Sequence, residues 1–322
     1  MILIPHYSQH PYYWNPALHL LYVGDERRVG AFRNALREVV HPGMVVADIG
    51  SGTGVLARFA TEAGAAQAYA IEQDRRIARF CLRANQQMGF NGAIDVVCGD
   101  SRSVGLEQPV DVVVAELIGG LGNDEAMSPI LEDARKRHLK PGGTLIPRRV
   151  DVHLCPVEAP EAHAQIPTVY DGDLIVPPEK ALPPFRAYYE ILGLPASSLL
   201  SSPALLDSIN LMDHTEIAYE RRFCFHMARE AVFSGFAAWF VADLAEGVTL
   251  DTSPWAPTTC WGQTFLPVRH ELEVREADRI ELTLSAVVPP GRDRPFYTWA
   301  GAITRGQRVI GSFAETNAPA TP

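Results

Sequence analysis

The hydrophobic pattern of this chain changes once, after Pro147. Between residues 43 and 147, short apolar runs alternate with helix-like and mixed segments; the runs lie at 45–49, 68–71, 94–98, 110–115 and 144–146. This alternation is typical of a parallel sheet with crossover helices. After Pro147, apolar and polar residues alternate with period two, as in RIELTLSA at 279–286. Such runs predict antiparallel strands in a sandwich or barrel.

The same change divides the chain into units. A length of 322 residues is enough for two domains, each with its own core. We assign residues 40–147 to an α/β domain and residues 148–322 to an antiparallel β domain. Residues 1–39 are predicted to form an N-terminal arm and helices, because apolar residues recur at helical spacing from 17 to 39, with an interruption at Gly24.

Charge and cysteine content exclude several classes of partner. The formal charge of −10 argues against nucleic acid, whose phosphates require a basic surface, and is compatible with a cationic ligand. Five cysteines form no pair with metal or redox spacing, which favours reduced thiols in the cytoplasm and no metal site. The most apolar stretch, at 231–245, is too short for a bilayer, which needs about 20 apolar residues, so no membrane partner is expected.

A glycine-rich turn follows the first apolar run, in VVADIGSGTGVLARF. Gly50, Gly52 and Gly54 allow a tight turn and let a ligand approach the backbone at a helix N-terminus, and Asp48 can fix the turn. The spacing differs from the dinucleotide-binding fingerprint, and on its own it is equally typical of a plain turn.

Acidic residues at the next two strand ends add to this signal. Glu72 ends the second run, where a carboxylate can accept both ribose hydroxyls. Asp100, with the adjacent Ser101, follows the third run, where an acid can accept the adenine amine. The combination resembles the class I S-adenosylmethionine-dependent methyltransferases, and a flavin or NAD site fits less well.

The stretch AELIGGLGNDEAM places Glu116 and Glu125 nine positions apart across a glycine-rich loop. Both glutamates are equally compatible with solvated loop charges. A pair of carboxylates also matches the planar donors of a guanidinium.

The resemblance now becomes narrower. AELIGGLGNDEAM resembles the double-glutamate loop of the protein arginine methyltransferases, TTCWGQTF resembles their Thr-His-Trp motif, and GDERRVGAFRNAL is similar to their N-terminal helix. The resemblance covers residues 12 to 300 and implies a Rossmann-like methyltransferase domain followed by a β-barrel, with N-terminal helices. It also implies a homodimer formed through an arm, for which the segment around 165–210 is the candidate.

The resemblance assigns a role to each matching residue. Glu116 and Glu125 are implied to be catalytic and to grip the substrate guanidinium. The residues implied to bind S-adenosylmethionine are Tyr13, Arg28, Asp48, Gly50, Gly52, Gly54, Glu72, Asp100 and Ser101. Those implied to lie around the substrate are Tyr22, Met127, Cys260 and Trp261. Tyr13, Met127 and Trp261 are equally explained by packing, and Arg28 by a place on a helix surface.

Several departures from the family lie on the substrate side. Cys260 replaces the family histidine, which pairs with an acid at the position of Asp25. Leu117 and Ile118 replace a Trp-Met pair. Tyr22 replaces a common methionine, from which we hypothesise that methylation stops at one methyl group.

The sequence thus predicts an S-adenosylmethionine-dependent arginine (guanidino) N-methyltransferase. The altered substrate motifs favour free L-arginine or a small guanidino metabolite as the substrate. The alternatives are a protein or peptide arginine methyltransferase, a non-catalytic cofactor-binding scaffold, and a methyltransferase that acts on oxygen or carbon.

Overall fold

The computed structural model describes residues 1–5, 16–166, 187–213 and 216–318. Strand β1 (Ile2–Pro5) comes first, and two helices follow, α1 (Pro16–Gly24) and α2 (Glu26–Val39). The helices are separate because Asp25 caps α2: its carboxylate accepts the backbone N–H groups of Arg27 and Arg28, both at 3.0 Å. The predicted interruption therefore falls directly after Gly24.

A five-stranded parallel sheet forms the α/β domain. Its elements in chain order are β2 (Val45–Ile49), α3 (Val55–Glu62), β3 (Gln67–Glu72), α4 (Arg75–Gln87), β4 (Ile94–Cys98), β5 (Val110–Ala115), α5 (Met127–Arg137) and β6 (Leu139–Ile146). All five apolar runs are strands, as predicted, with spatial order β4-β3-β2-β5-β6. The order reverses between β2 and β5, and α/β sheets bind ligands at the carboxyl ends of strands at such a switch point.

Two antiparallel sheets form the second domain. Its elements are β7 (Arg149–Val157), α6 (Pro160–His163), β8 (Tyr189–Leu192), β9 (Ala204–Asn210), β10 (Tyr219–His226), β11 (Ala231–Ala245), β12 (Val248–Asp251), β13 (Gln263–Val274), β14 (Arg279–Val287), β15 (Phe296–Arg305) and β16 (Arg308–Thr316). One sheet has the order β1-β8-β13-β11-β7-β9, with β12 on β11, and the other has the order β10-β14-β15-β16. Their inner faces share a core, in which Phe236 of β11 lies 5.7 Å from Phe313 of β16 between ring centroids.

One of the sequence assignments needs correction, and another lies partly outside the described residues. Residues 2–5, assigned to the N-terminal unit, belong to the antiparallel domain, because β1 pairs with β8 through backbone hydrogen bonds. The candidate dimerisation arm around 165–210 includes 167–186, which lies outside the described residues. The described part from 187 to 210 contains β8 and β9, which are integral strands of the larger sheet.

The apolar stretch at 231–245 is strand β11, whose side chains are mostly buried. In the described part of the chain, helices with the length and apolar character needed to cross a bilayer are absent.

Candidate active site

A cleft opens at the carboxyl ends of the parallel strands, beneath α1. Many of the residues singled out from the sequence line this cleft: Tyr22, Arg28, Gly50, Gly52, Glu72, Asp100, Ser101, Glu116 and Glu125. Others lie behind or beside it: Asp48, Gly54, Met127, Cys260 and Trp261. Tyr13 lies outside the described residues.

The glycine turn has the backbone conformation that requires glycine. Gly50, Gly52 and Gly54 have φ values of 68°, 53° and 80°, in the left-handed region. A Cβ on Gly54 would lie 2.5 Å from the sulfur of Cys81, so this glycine allows α3 to begin close to α4. Asp48 is a supporting residue, since its Oδ2 accepts the N–H of Ala57 in α3 at 3.0 Å, and burial raises its pKa to about 7.

Glu72 fixes the turn from the neighbouring strand. Its Oε2 accepts the Gly52 N–H at 3.0 Å, and its Oε1 accepts the Asp74 N–H at 2.7 Å. The side chain is buried, and desolvation raises its pKa. Glu72 therefore lies beside the glycine turn on the cleft wall, where the predicted ribose would bind.

Asp100 is already engaged by a neighbour that the sequence reasoning missed. Arg102 donates to it through Nε at 3.1 Å and Nη2 at 2.9 Å, and this hydrogen bonding lowers the pKa of Asp100. Arg102 also donates to Asp293 at 2.6 Å, in the β14–β15 connection, and Arg294 lines the same end of the cleft. The antiparallel domain thus contributes to the cofactor end of the cleft, and the sequence carried no signal for that contact.

A guanidinium group occupies the other end of the cleft. The Nη2 of Arg28 donates to Glu116, and its Nη1 donates to the carbonyl oxygen of Tyr22 at 2.9 Å. Its guanidinium carbon lies 5.2 Å from the ring centroid of Tyr22 and 5.5 Å from that of Trp261. The predicted contact of Arg28 with the cofactor carboxylate stays a prediction, while its observed partner is Glu116.

The loop between the two glutamates is closed by buried polar side chains. Asp124 accepts the N–H of Leu121 at 3.0 Å and the hydroxyl of Tyr188 at 3.3 Å. Asn123 accepts the N–H of Ser128, at the start of α5, at 3.0 Å. Asn123 and Asp124 were not predicted, although the Asn-Asp pair directly before Glu125 was visible in the sequence. Both side chains are buried in the loop directly before Glu125.

Glycines let this loop pack closely. Gly119 and Gly122 form a bridge, with the Gly122 N–H donating to the Gly119 carbonyl at 2.9 Å. Gly122 has a φ of 82°, and a Cβ there would lie 2.5 Å from Cδ1 of Ile209 and 3.1 Å from Cγ2 of Val152. The loop is therefore seated directly on the inner face of the larger antiparallel sheet.

The Cys-Trp segment lies beside the guanidinium of Arg28. Cys260 donates its backbone N–H to Asp25 at 2.5 Å, so these two positions are in contact through the backbone of Cys260. Burial raises the pKa of the Cys260 thiol. Trp261 packs edge-on against Phe240, with 5.2 Å between ring centroids. Met127 is fully buried in the main core, which agrees with the packing alternative.

Two residues of α1 complete the cleft. Burial, together with Glu125 and Glu116, raises the pKa of Tyr22, so its hydroxyl stays protonated. His19, which the sequence reasoning did not select, lies over the glycine turn, since a Cβ on Gly52 would meet its Nδ1 at 3.2 Å. Burial lowers the pKa of His19, which keeps the ring neutral near pH 7.

Two family models match the chain. One, described as a methyltransferase domain, matches residues 46–143, and the other, described as an arginine methyltransferase oligomerization subdomain, matches residues 185–295. The two matches fall on the α/β domain and on most of the antiparallel domain.

Curated proteins and solved structures are similar over most of the chain. Protein arginine N-methyltransferase 6 of Xenopus laevis is 26% identical over 295 residues, covering 85% of each chain. The arginine N(omega)-methyltransferase of Streptomyces achromogenes subsp. streptozoticus is 27% identical over 278 residues, covering 84% of this chain and 76% of that protein. The structure of Arabidopsis thaliana protein arginine methyltransferase 10 has a TM-score of 0.78 at 22% identity, covering 96% of this chain and 98% of that one. The Trypanosoma brucei PRMT1 enzyme-prozyme complex with AdoHcy has a TM-score of 0.80 at 19% identity, covering 94% and 98%. These likenesses confirm the predicted fold.

Proposed function

We propose that this chain, which belongs to the protein arginine methyltransferase family, methylates a guanidino nitrogen of free L-arginine or of a small guanidino metabolite. The methyl donor is S-adenosylmethionine, and the products are N-omega-methylarginine, for arginine, and S-adenosylhomocysteine.

The observation that carries this proposal is the position of the Arg28 guanidinium. It is bound by the Glu116 carboxylate and lies near the faces of Tyr22 and Trp261, which is how a protein holds an arginine side chain. Arg28 is the chain's own group, and its surroundings match what a substrate guanidinium needs. A methyltransferase for oxygen or carbon has no use for such surroundings.

The other end of the cleft fits an adenosine. The N–H groups of the glycine turn, the carboxylate of Glu72 and the Asp100–Arg102 pair would hold it, and Asp48 keeps the turn against α3. Bound there, S-adenosylmethionine supplies a methyl group on a positively charged sulfur.

Glu116 and Glu125, which together we call the clamp, activate the nucleophile. Free guanidinium has a pKa of about 12.5–13.8 and is a poor nucleophile because it is charged. Glu116 and Glu125 draw positive charge toward the nitrogens that they bind, which leaves electron density on the attacking nitrogen. Held by the glycine turn and Glu72, S-adenosylmethionine would supply its methyl group to that nitrogen, with S-adenosylhomocysteine as the leaving group.

The product nitrogen then loses one proton to Glu116 or Glu125, directly or through water. Cys260 is a poor acceptor because burial raises the pKa of its thiol, so the carboxylates take the role that the family histidine would share. Neutral His19 lies over the glycine turn and is assigned to the cofactor.

Small substrates are favoured by the departures around the guanidinium. Leu117 lines the cleft. The ring centroid of Tyr22 lies 5.2 Å from the guanidinium carbon of Arg28, and at this position the ring restricts the space for a second methyl group. The name of the Streptomyces relative, an arginine N(omega)-methyltransferase, supports the same choice. We therefore propose a single methylation of free arginine.

Assembly and location are parts of the same proposal. The match to an oligomerization subdomain supports an oligomer, which we propose is a homodimer. Five free cysteines suit a reducing compartment, so we place the enzyme in the cytoplasm.

Protein or peptide arginine is the second candidate. It is favoured by the name of the Xenopus relative, a protein arginine N-methyltransferase that matches 85% of this chain. Its guanidinium would use the same clamp, and the two candidates differ in what surrounds the rest of the substrate.

The test is mass spectrometry after incubation with S-adenosylmethionine and, in parallel, free L-arginine and an Arg/Gly-rich peptide. We expect one methyl group on free arginine. Methyl transfer to the peptide alone would replace the proposal with its protein alternative, and dimethylarginine would refute the role of Tyr22. Transfer to neither, with cofactor bound, would favour a scaffold or another guanidine.

The clamp itself is tested by Glu116→Gln. Turnover should fall by about 10²–10³-fold, because a charged group facing the transition state is lost. Affinity for S-adenosylhomocysteine should change by less than about threefold, since the glycine turn and Glu72 are untouched. Glu107→Gln, in an exposed loop of the same domain, is the matched control and should match the wild type.

A further inference from the structure

Glu190 is a buried acid that faces the double-glutamate loop from the antiparallel domain. It is the second residue of β8 and lies two positions after Tyr188, which directly precedes the strand, so in extended backbone the two side chains point to the same side. The Tyr188 hydroxyl donates to Asp124 at 3.3 Å, which places this face of β8 against the loop. Both Asp124 and Glu125 act electrostatically on the carboxyl group of Glu190, which is only 5% exposed.

The same carboxyl group holds the segment that carries Trp261. It accepts the backbone N–H of Gly262, the next residue along the chain. The backbones are close here, since a Cβ on Gly262 would lie 2.6 Å from the carbonyl oxygen of Ile191. Trp261 is thus fixed beside the guanidinium by a residue of β8.

A second buried polar group lies on the same face. Thr264 of β13 is directly opposite Glu190 in the antiparallel register. Its hydroxyl oxygen is buried and makes no hydrogen bond within the described residues. A carboxyl group and an unsatisfied hydroxyl therefore lie side by side next to the clamp.

We propose that Glu190 is a third carboxyl group of the guanidino site, which positions Trp261 through Gly262 and adds negative charge beside Glu125 when substrate enters. The inference rests on the proposed function and extends it to a residue of the antiparallel domain.

The surroundings determine when that charge exists. Burial, with Asp124 and Glu125, raises the pKa of Glu190 to about 8, so the free site holds the carboxyl group largely protonated at pH 7. Tyr22 of α1 also faces it, and Ile4 and Thr264, opposite it on β1 and β13, do not titrate. An arriving guanidinium favours the ionised form, so the proton leaves to solvent as substrate binds.

Two substitutions separate positioning from charge. Glu190→Gln keeps an acceptor for the Gly262 N–H and removes the charge, so KM for the guanidino substrate should rise about tenfold while kcat changes by less than about threefold. Glu190→Ala removes both functions, so kcat should fall as well. KM for S-adenosylmethionine should stay unchanged in both variants.

Glu315→Gln is the matched control. Glu315 is likewise buried in the antiparallel domain, with its pKa raised by burial, and it accepts the backbone N–H of Arg269 at 3.1 Å. Its neighbours are Arg269 and His270 of β13, and the double-glutamate loop is not among them, so its substitution should leave both KM values unchanged. If the wild type is active and Glu190→Gln leaves KM for the guanidino substrate unchanged, the inference about Glu190 is wrong while the proposed function stands.

Proton release gives a readout that a purely structural role would not change. Calorimetric titration of the S-adenosylhomocysteine complex with L-arginine at pH 7, in two buffers of different ionisation enthalpy, should show close to one proton released by the wild type. Glu190→Gln should release far less. If both proteins release the same number of protons, Glu190 is not the group that ionises when substrate binds.

Thermal unfolding tests the ionisation without substrate. Because the folded-state pKa of Glu190 lies above its unfolded value of 4.5, its contribution to stability is present at low pH and is lost as pH rises through about 8. The stability of Glu190→Gln against thermal unfolding should therefore rise relative to that of the wild type between pH 5 and pH 9. A constant difference would refute the ionisation of Glu190, whether or not any guanidine is methylated. If instead the wild type methylates no guanidine, the proposed function fails, and the substrate role of Glu190 fails with it.

Discussion

Gly122→Ala should weaken catalysis through steric overlap behind the double-glutamate loop. The new Cβ would meet Cδ1 of Ile209 at 2.5 Å, and ordinary contact begins at 3.4 Å, so one of the two must move by 0.9 Å. Ile209 is fully buried and cannot swing into solvent, so we expect the loop to move. A displacement of this size at Glu125, three residues on, should lower kcat/KM by about 10²-fold.

The effect on stability has two parts. A left-handed backbone costs an alanine about 1–2 kcal/mol, and overpacking of the core costs about 1–3 kcal/mol more. Gly142→Ala is the control for the first part, because Gly142 has a φ of 78° and a Cβ added there would meet nothing within 4 Å. Gly122→Ala should therefore be less stable than Gly142→Ala by about 1–3 kcal/mol in chemical denaturation.

A second substitution tests the cause. Ile209→Val removes the Cδ1 atom that the new Cβ would meet, at a cost of about 0.5–1.5 kcal/mol on its own. In the Gly122→Ala background it should restore most of kcat/KM. The reasoning is refuted if Gly122→Ala retains wild-type kcat/KM, or if Ile209→Val makes the double variant worse by the full sum of the two losses.

Three further predictions concern charges and thiols. Asp48→Asn should gain stability relative to the wild type as pH rises from 5 to 8. Burial raises the folded-state pKa of Asp48 to about 7, so the stabilising contribution of this carboxyl group is lost as pH rises through that value. Thermal unfolding at several pH values measures this. Asp293→Asn should weaken S-adenosylhomocysteine binding two- to fivefold by releasing Arg102. Stability should change by less than about 1 kcal/mol, because the Arg102–Asp293 pair is largely exposed. Calorimetric titration at two salt concentrations measures the loss of affinity and how far salt screens it. Alkylation at pH 8 should label exposed Cys224 well before Cys260, whose pKa is raised by burial; peptide mass spectrometry would contradict this if the order were reversed.

The sequence predicted those features that depend on local pattern. The runs at 45–49 and 110–115 became central strands because, apart from Asp48 and Asp111, they are apolar on both faces, as is typical of a covered parallel sheet. Gly50 and Gly52 became a left-handed turn because their positions follow a strand and precede a helix. The pair of glutamates was visible because Glu116 directly follows a strand and Glu125 lies within one loop of it; its role as a guanidinium clamp stays a prediction.

The features that the sequence did not reveal depend on contacts between distant parts of the chain. Glu190 lies in a short strand, and only the pairing of β8 with β13 brings it to the site. Asp293 reaches Arg102 from a loop whose residues give no periodic signal. Asn123 and Asp124 read as ordinary loop residues, because their burial arises from packing against the antiparallel sheet.

The pairing of β1 with β8 has a consequence for how the chain matures. Ile2 pairs with Leu192, so β1 must wait for a partner that lies about 190 residues further along the chain. At roughly 5–20 residues per second on the ribosome, that wait is on the order of 10–40 s. During this interval the α/β domain, whose strands all lie before residue 147, can collapse and bury its core. Pairing of β1 with β8 therefore follows the collapse of the α/β domain, and the sheet around β8 is completed only when β13 has also been made.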